Sequence, residues 1–241
     1  MIRNQQSVGQ LVVERPQRSR VFESLGIDYC CGGKLPLEEA CRRKGIDPAQ
    51  VIARIEEAER GGEQARSGQD PAKMGLAELA DHIERVHHDF LRTELDRIMH
   101  LTAKVADAHG ERDPRLAEVH RVFSGFREEM LTHMLKEEQV VFPMIRSLER
   151  KEPGEPCGCG SIVDKIAALE ADHDDSGSAL ERMHELTEGY AVAEGFCNTH
   201  RAMLDALSNL ERDTHAHVHK ENNILFVRAT ELESGTAAGG A

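Results

Sequence analysis

Two segments of this sequence carry the same chemistry-bearing residues in the same order. His133 opens HMLKEEQVVFP and His217 opens HVHKENNILFV, with His, Lys, Glu and Phe coinciding at offsets 0, 3, 4 and 9. A second pair runs alongside. His88 opens HDFLRTELDRI and His173 opens HDDSGSALERM, sharing His-Asp, a leucine seven residues on, then an acidic-Arg-apolar triplet. The displacements are 84 and 85 residues, so two helical hairpins repeat in register, each supplying one His and one His-x-x-x-Glu. Imidazole nitrogens and carboxylate oxygens are ligands for first-row metals. Four His and two Glu with open coordination positions suit iron best, ahead of manganese or zinc.

His-x-x-x-Glu alone is weak evidence, because residues i and i+4 share a helix face in any helix. His184 with Glu188 is a third example in the same chain. The apolar seams separate them. A 4,3 spacing in the second long helical segment runs Val119, Phe123, Phe126, Met130, His133, Glu137, Val140, Met144. In the third it runs Ile162, Ile166, Leu169, His173, Ser176, Leu180, Met183, and in the fourth Phe196, His200, Met203, Leu207, Leu210, Thr214, His217, Glu221, Ile224. His184 falls one step off its seam and is expected in solvent. The first segment (Leu76, Leu79, Ile83, Val86, Phe90) points His87 inward more directly than His88. Periodicity leaves that choice open, and the duplication favours His88. Burying an unpaired carboxylate costs several kcal/mol or more. Two of them at one level of a core are tolerable when a pair of metal ions neutralises them.

Four long segments from Leu76 onward, broken at 109–114, 151–160 and 188–194, must position these residues. No strand pattern is present. The expected fold is all-α: an antiparallel up-down-up-down four-helix bundle over 74–233. A small helical domain over 1–58 precedes it, joined by a glycine-rich polar linker at 59–73, and a disordered tail follows at 234–241. The first 58 residues are near neutral, so the whole of the net charge of −13 lies beyond them. That excess of acid argues against a nucleic-acid partner, which requires positive charge. It is consistent with docking to basic partners or simply with a solvated face. No apolar run approaches the roughly 20 residues of a spanning helix, and the arginines among the first twenty residues leave no signal-peptide core. The expectation is a cytoplasmic protein with its six cysteines reduced.

Taken together, these motifs are recognisable. The bundle, through HMLKEEQVVFP, HKENNILF and the EADHD around His173, resembles the hemerythrin-like domains. DYCCGG at Asp28–Gly33 resembles the short N-terminal domain that precedes such a bundle in the repair-of-iron-centres family. The resemblance implies two non-haem irons, oxo- and carboxylate-bridged, with His88, His133, Glu137, His173, His217 and Glu221 as ligands and the two glutamates bridging. Glu129, one turn before His133, and Asp172, where the family usually has Glu, match acidic positions associated with that site. The implied role is restoring iron–sulfur clusters damaged by nitrosative or oxidative stress. Iron donation to damaged or apo iron–sulfur proteins is one route, and reduction of nitric oxide at a di-ferrous pair is another. A hemerythrin-like sensor or carrier of oxygen or nitric oxide is the alternative.

Cys30 and Cys31, taken in isolation, read as small hydrophobes before a Gly-Gly turn. Being adjacent, they are not expected to ligate one metal together. The resemblance instead implies thiols that exchange iron, nitric oxide or electrons, and so a catalytic part for Cys30 and Cys31 alongside Glu129. Cys157 and Cys159 sit in a Pro/Gly-rich loop, and Cys41 and Cys197 are expected in the core. A flexible linker would also allow a homodimer in which one protomer's thiols serve another's iron site.

Overall fold

Capping residues set where the helices begin and end. Ser7 accepts the Gln10 N–H at the start of α1 (Val8–Glu14), and Ser161 accepts the Val163 N–H at the start of α9 (Ile162–Leu186), the usual work of a serine N-cap. Gly45, in the left-handed region at φ 68°, closes α3 (Leu37–Lys44), where a side chain would be strained. The computed structural model describes residues 2–61, 70–150 and 161–238. Part of the expected linker, Cys157, Cys159 and the last three residues lie outside them. Among the described residues there is no strand, only an isolated bridge between Ser7 and Pro36.

The chain is all-α, and it divides into two units, Met1–Leu79 with His215–Ala241, and Ala80–Thr214. In the first unit α1, α2 (Ser19–Ser24), α3 and α4 (Pro48–Gly61) close over a core of Val8, Leu11, Phe22, Leu37, Cys41 and Ile55. Arg18 ties this unit together, with its guanidinium 2.7 Å from Glu59 and donating to the Leu11 carbonyl. In the second unit α6 (Asp89–His109), α7 (Arg115–Lys136), α9 and the first part of α10 (Asn198–Lys220) form a helical bundle. Their shared core includes Leu95, Phe123, Phe126, Leu180, Met203 and Leu207. The turn after α9 is tight. Glu188, Gly189 and Tyr190 are all left-handed there.

Three of the long rods share one irregularity. A π-turn at Glu84–His88 joins α5 (Leu76–Ile83) to α6. Another at Glu137–Val141 joins α7 to α8 (Phe142–Arg150), and a third at Glu221–Leu225 joins α10 to α11 (Phe226–Ala238). Each π-turn accommodates one extra residue, so the apolar stripe beyond it slips by one position. The seams hold up to the first two π-turns and slip there, whereas Ile224, inside the third, stays buried as its seam predicts. Val86, expected in the core, is 40% exposed, and the stripe resumes at His87 and Leu91. Past Glu137 the buried positions are Val141, Phe142 and Ile145 rather than Val140 and Met144. Pro143 contributes to the second irregularity, because it has no N–H to give the carbonyl four residues back. The one uninterrupted rod, α9, buries Ile162, Ile166, Leu169, His173, Ser176, Leu180 and Met183, with no slip.

Candidate metal centre

His88, Glu137 and Glu221 each fall inside a π-turn, as its last residue in one case and its first in the other two. Such turns widen the helix and re-aim side chains, and they recur at functional sites. Here the slip brings both His87 and His88 into the interior. They part company there. His87 Nδ1 lies 2.9 Å from Asp213, whereas His88 Nε2 lies 3.3 Å from Glu137 Oε2. His133 Nε2 lies 3.3 Å from the same Glu137 oxygen and 3.0 Å from His173 Nε2. His88, His133, Glu137 and His173 are all buried in the second unit. In the first unit His217 and Glu221 are fully buried together, with Nε2 and Oε1 2.8 Å apart.

The far nitrogens fix the tautomers. His88 Nδ1 donates to Glu138, whose carboxylate is held by Arg92 at 2.6 Å. His133 Nδ1 faces Asp172 at 3.3 Å, and Lys136 grips that carboxylate at 2.7 Å. Burial alone would raise both acids. Arg92 and His88 nevertheless hold Glu138 below the usual carboxylate range, as Lys136 and His133 do for Asp172. With the proton on Nδ1, each ring turns its Nε2 toward the same Glu137 oxygen. A cation placed among these nitrogen and oxygen donors would be coordinated by them. Donor atoms about 2.1 Å from one ion stand about 3.0–3.4 Å apart, the spacing found here. Carboxylates behind the imidazoles are the usual outer partners of metal-bound histidine. The donor set of nitrogen and oxygen without sulfur fits iron among other first-row metals.

Sequence reasoning passed over Glu138, Arg92 and Lys136. Its one available signal was the doubled acid at 137–138, which places a second carboxylate beside the ligand. Glu129 is exposed on a cavity of about 290 Å³ that His133, Lys136, Asp172 and Ser176 also line. His184 is exposed beside Glu211, and Glu188 pairs with Arg115 beyond the end of α9. The off-seam pair is therefore solvated.

The cysteines differ from expectation in two places. Cys41 is fully buried, but Cys197 is exposed, one residue before α10. The helix starts later than the apolar spacing suggested, which leaves this thiol at its N-terminus. The His200 N–H and then His109 Nε2, 3.3 Å away, pull the Cys197 thiol below its ordinary pKa. Alkylation of the intact protein should therefore label Cys197 well before Cys41. Its pH midpoint should lie below that of an ordinary thiol, because the thiolate survives to lower pH, and His109→Ala should raise it. An unchanged midpoint in that variant would remove His109 from the account.

The second departure is at Cys30 and Cys31. The two sulfurs are 3.9 Å apart, on a right-handed backbone with φ −98° and ψ −75° at Cys30. Adjacency does not splay them. The Cys31 sulfur, then burial and Asp28, hold the Cys30 thiol well above its usual range. The motif is fastened from α10 and the π-turn after it. His219 Nδ1 donates to the Tyr29 carbonyl at 3.4 Å, and Asn223 donates to the Cys30 carbonyl at 3.1 Å. Burial pushes His219 down to about 4, so it serves there as a neutral donor.

Comparison with known proteins covers both parts of the chain. Residues 79–229 match the model of the "Hemerythrin HHE cation binding domain", and residues 4–59 match a "Domain of Unknown function (DUF542)", ScdA_N. The iron-sulfur cluster repair protein ScdA of Staphylococcus haemolyticus is 34% identical over 226 residues, which is 94% of this chain and 98% of the relative. The iron-sulfur cluster repair protein YtfE of Enterobacter sp. is 33% identical, covering 93% and 96%. YtfE of Yersinia pseudotuberculosis is also 33% identical, covering 95% and 98%. No helix among the described residues is long and apolar enough to cross a membrane. The chain belongs to the family of iron–sulfur cluster repair proteins that join an ScdA_N domain to a hemerythrin HHE domain.

Proposed function

We propose that this protein restores damaged iron–sulfur clusters in the cytoplasm from a non-haem di-iron centre held by His88, His133, Glu137, His173, His217 and Glu221. The observation that carries the reading is the convergence of two buried imidazole Nε2 atoms on one buried Glu137 oxygen in a hemerythrin-type bundle. The internal duplication assigns His217 and Glu221 the parts played by His133 and Glu137. Bound there, iron supplies a labile metal store and a redox partner for nitric oxide or oxygen.

The chain's own residues hold and tune that store. Glu138 and Asp172 keep the Nδ1 protons of His88 and His133 in place, so that both Nε2 atoms stay available as ligands. Glu129 and Asp172 give the cavity beside His133 a carboxylate lining, which favours cations over anions at its mouth. Cys30 and Cys31 act on what leaves or enters the centre, and the clients are damaged or apo iron–sulfur proteins.

The test is transfer. Iron-loaded protein is incubated without oxygen with a nitric-oxide-damaged cluster protein, and cluster absorption and the iron content of both partners are followed. Cluster recovery matched by iron loss from this chain is expected. Recovery with the chain's iron unchanged would overturn donation, and no recovery would overturn the repair reading. Replacing Cys30 and Cys31 by Ser should leave the iron content intact while slowing recovery.

A further inference from the structure

Among the described residues, one group of possible ligand side chains converges outside the His/Glu cluster. Single ligand atoms of Asp28, Cys30 and Cys31 all lie within 4.8 Å of one another. Asp28 is exposed, Cys31 partly so and Cys30 buried, so the cluster sits at the surface of its unit with one ligand anchored inside. The carboxylate is held in a fixed pose. Its Oδ1 accepts the Cys30 N–H at 2.9 Å and its Oδ2 accepts the Gly32 N–H at 2.7 Å. A side chain at residue 32 would bring a Cβ to 3.0 Å from Asp28 Oδ2, which gives the first glycine of the motif a steric reason.

We propose that Asp28, Cys30 and Cys31 form a second metal site, binding one thiophilic divalent cation through two sulfurs and one carboxylate oxygen, with a coordination position left open. Two thiolates about 2.3 Å from a tetrahedral ion stand about 3.8 Å apart, and these sulfurs are 3.9 Å apart. The carboxylate oxygen is 3.2 Å from the Cys30 sulfur, close to the about 3.5 Å expected of a sulfur and an oxygen on the same ion. Sulfur donors select a different set of metals from the nitrogen and oxygen donors of the bundle. Three ligands with one position open are characteristic of sites where something is exchanged, whereas closed four-ligand sites are structural. Binding replaces two thiol protons by the cation, releases both to solvent and transfers no electrons.

That the cation in use is ferrous iron in transit rests on the repair function proposed above; the existence of the site does not. The competing use of two neighbouring thiols is a vicinal disulfide, which requires the sulfurs to close to about 2.05 Å and leaves no ligand for a metal.

Cobalt(II) is the probe, added to full-length, iron-loaded protein in which Cys157, Cys159 and Cys197 are Ser. One equivalent should bind with near-ultraviolet thiolate-to-cobalt absorption. Cys30→Ser and Cys31→Ser should each abolish the two-thiolate band, and Asp28→Asn should weaken binding about tenfold or more. Asparagine can still accept one of the two backbone N–H groups, so that variant keeps its fold. No absorption in the parent, absorption that survives Cys30→Ser, or a mass two protons lighter with cobalt excluded would each overturn the site. Unchanged affinity in Asp28→Asn would overturn the three-ligand assignment. Bundle iron, measured on the same samples, should not change. A failure of the di-iron reading would appear in that measurement alone and leave the cobalt result standing.

Discussion

Glu137→Ala and Glu221→Ala should each lose most of the iron that the parent carries, where Glu188→Ala keeps all of it. All three glutamates lie four residues after a histidine, so sequence spacing does not distinguish them. Burial does. Glu137 and Glu221 are fully inaccessible, while the Glu188 side chain is 70% exposed and bonded to Arg115. The sharper form of the prediction is a reversal of sign. Metal-loaded parent should be more stable than metal-treated Glu137→Gln, because a ligand that binds only the native state adds RT ln(1 + [L]/Kd). After chelation the order should invert, since the variant no longer buries a charge whose desolvation costs several kcal/mol. Thermal unfolding of both proteins, with and without chelator, measures all four corners. If chelated parent and chelated variant unfold at the same temperature, metal is not what makes the buried carboxylate tolerable. Equal iron in all three alanine variants would undo the ligand assignment itself.

Gly33→Ala should destabilise the first unit by about 1–3 kcal/mol, as overpacking of a closed site does, and most of that cost should disappear when Asn223 is also Ala. The added Cβ would meet Asn223 Oδ1 at 2.4 Å and Nδ2 at 2.9 Å, and its three nearest neighbours all belong to that one side chain. Removing the side chain removes the obstacle, so the double-mutant cycle should show a coupling of similar size. Gly9 is the control. Its Cβ would also strike the Gly33 carbonyl oxygen at 2.9 Å, so Asn223→Ala should rescue Gly9→Ala only in part. Urea unfolding of the four proteins gives the coupling energy. Additive effects would mean that Asn223 does not sit on the bare α-carbon of Gly33. The functional consequence follows from the same contact. Asn223 lies two residues after Glu221 and donates to the Cys30 carbonyl, so the variant should also expose Cys30 to thiol reagents.

Some of this was legible because helices repeat. The seam through α9 gave its seven buried positions without error, since nothing in that rod interrupts the turn. In α7 the seam placed Phe123, Phe126, Met130 and His133 correctly, and it drifted only past Glu137. The cause is local geometry. A π-turn is one added residue whose hydrogen bonds still close within the helix, so it leaves little trace in composition, and only Pro143 hints at one of the three. The same effect explains the ambiguity at His87 and His88. Each can be drawn facing inward on an ideal helix, and the wider turn buries both.

By itself the sequence determined the class of fold, the doubled His and His-x-x-x-Glu pattern, and the donor types. All three depend on residue identity and on a helical period that the chain imposes locally. The tertiary structure decided what depends on phase and on distant neighbours. It selected His88 as the partner of Glu137 and set Glu138 and Asp172 behind the imidazoles. It brought Cys197 to the surface and turned two adjacent thiols toward one carboxylate. The physical reason is that a slip of one residue rotates every later side chain by about 100° around the rod, and no residue records that slip in its own chemistry.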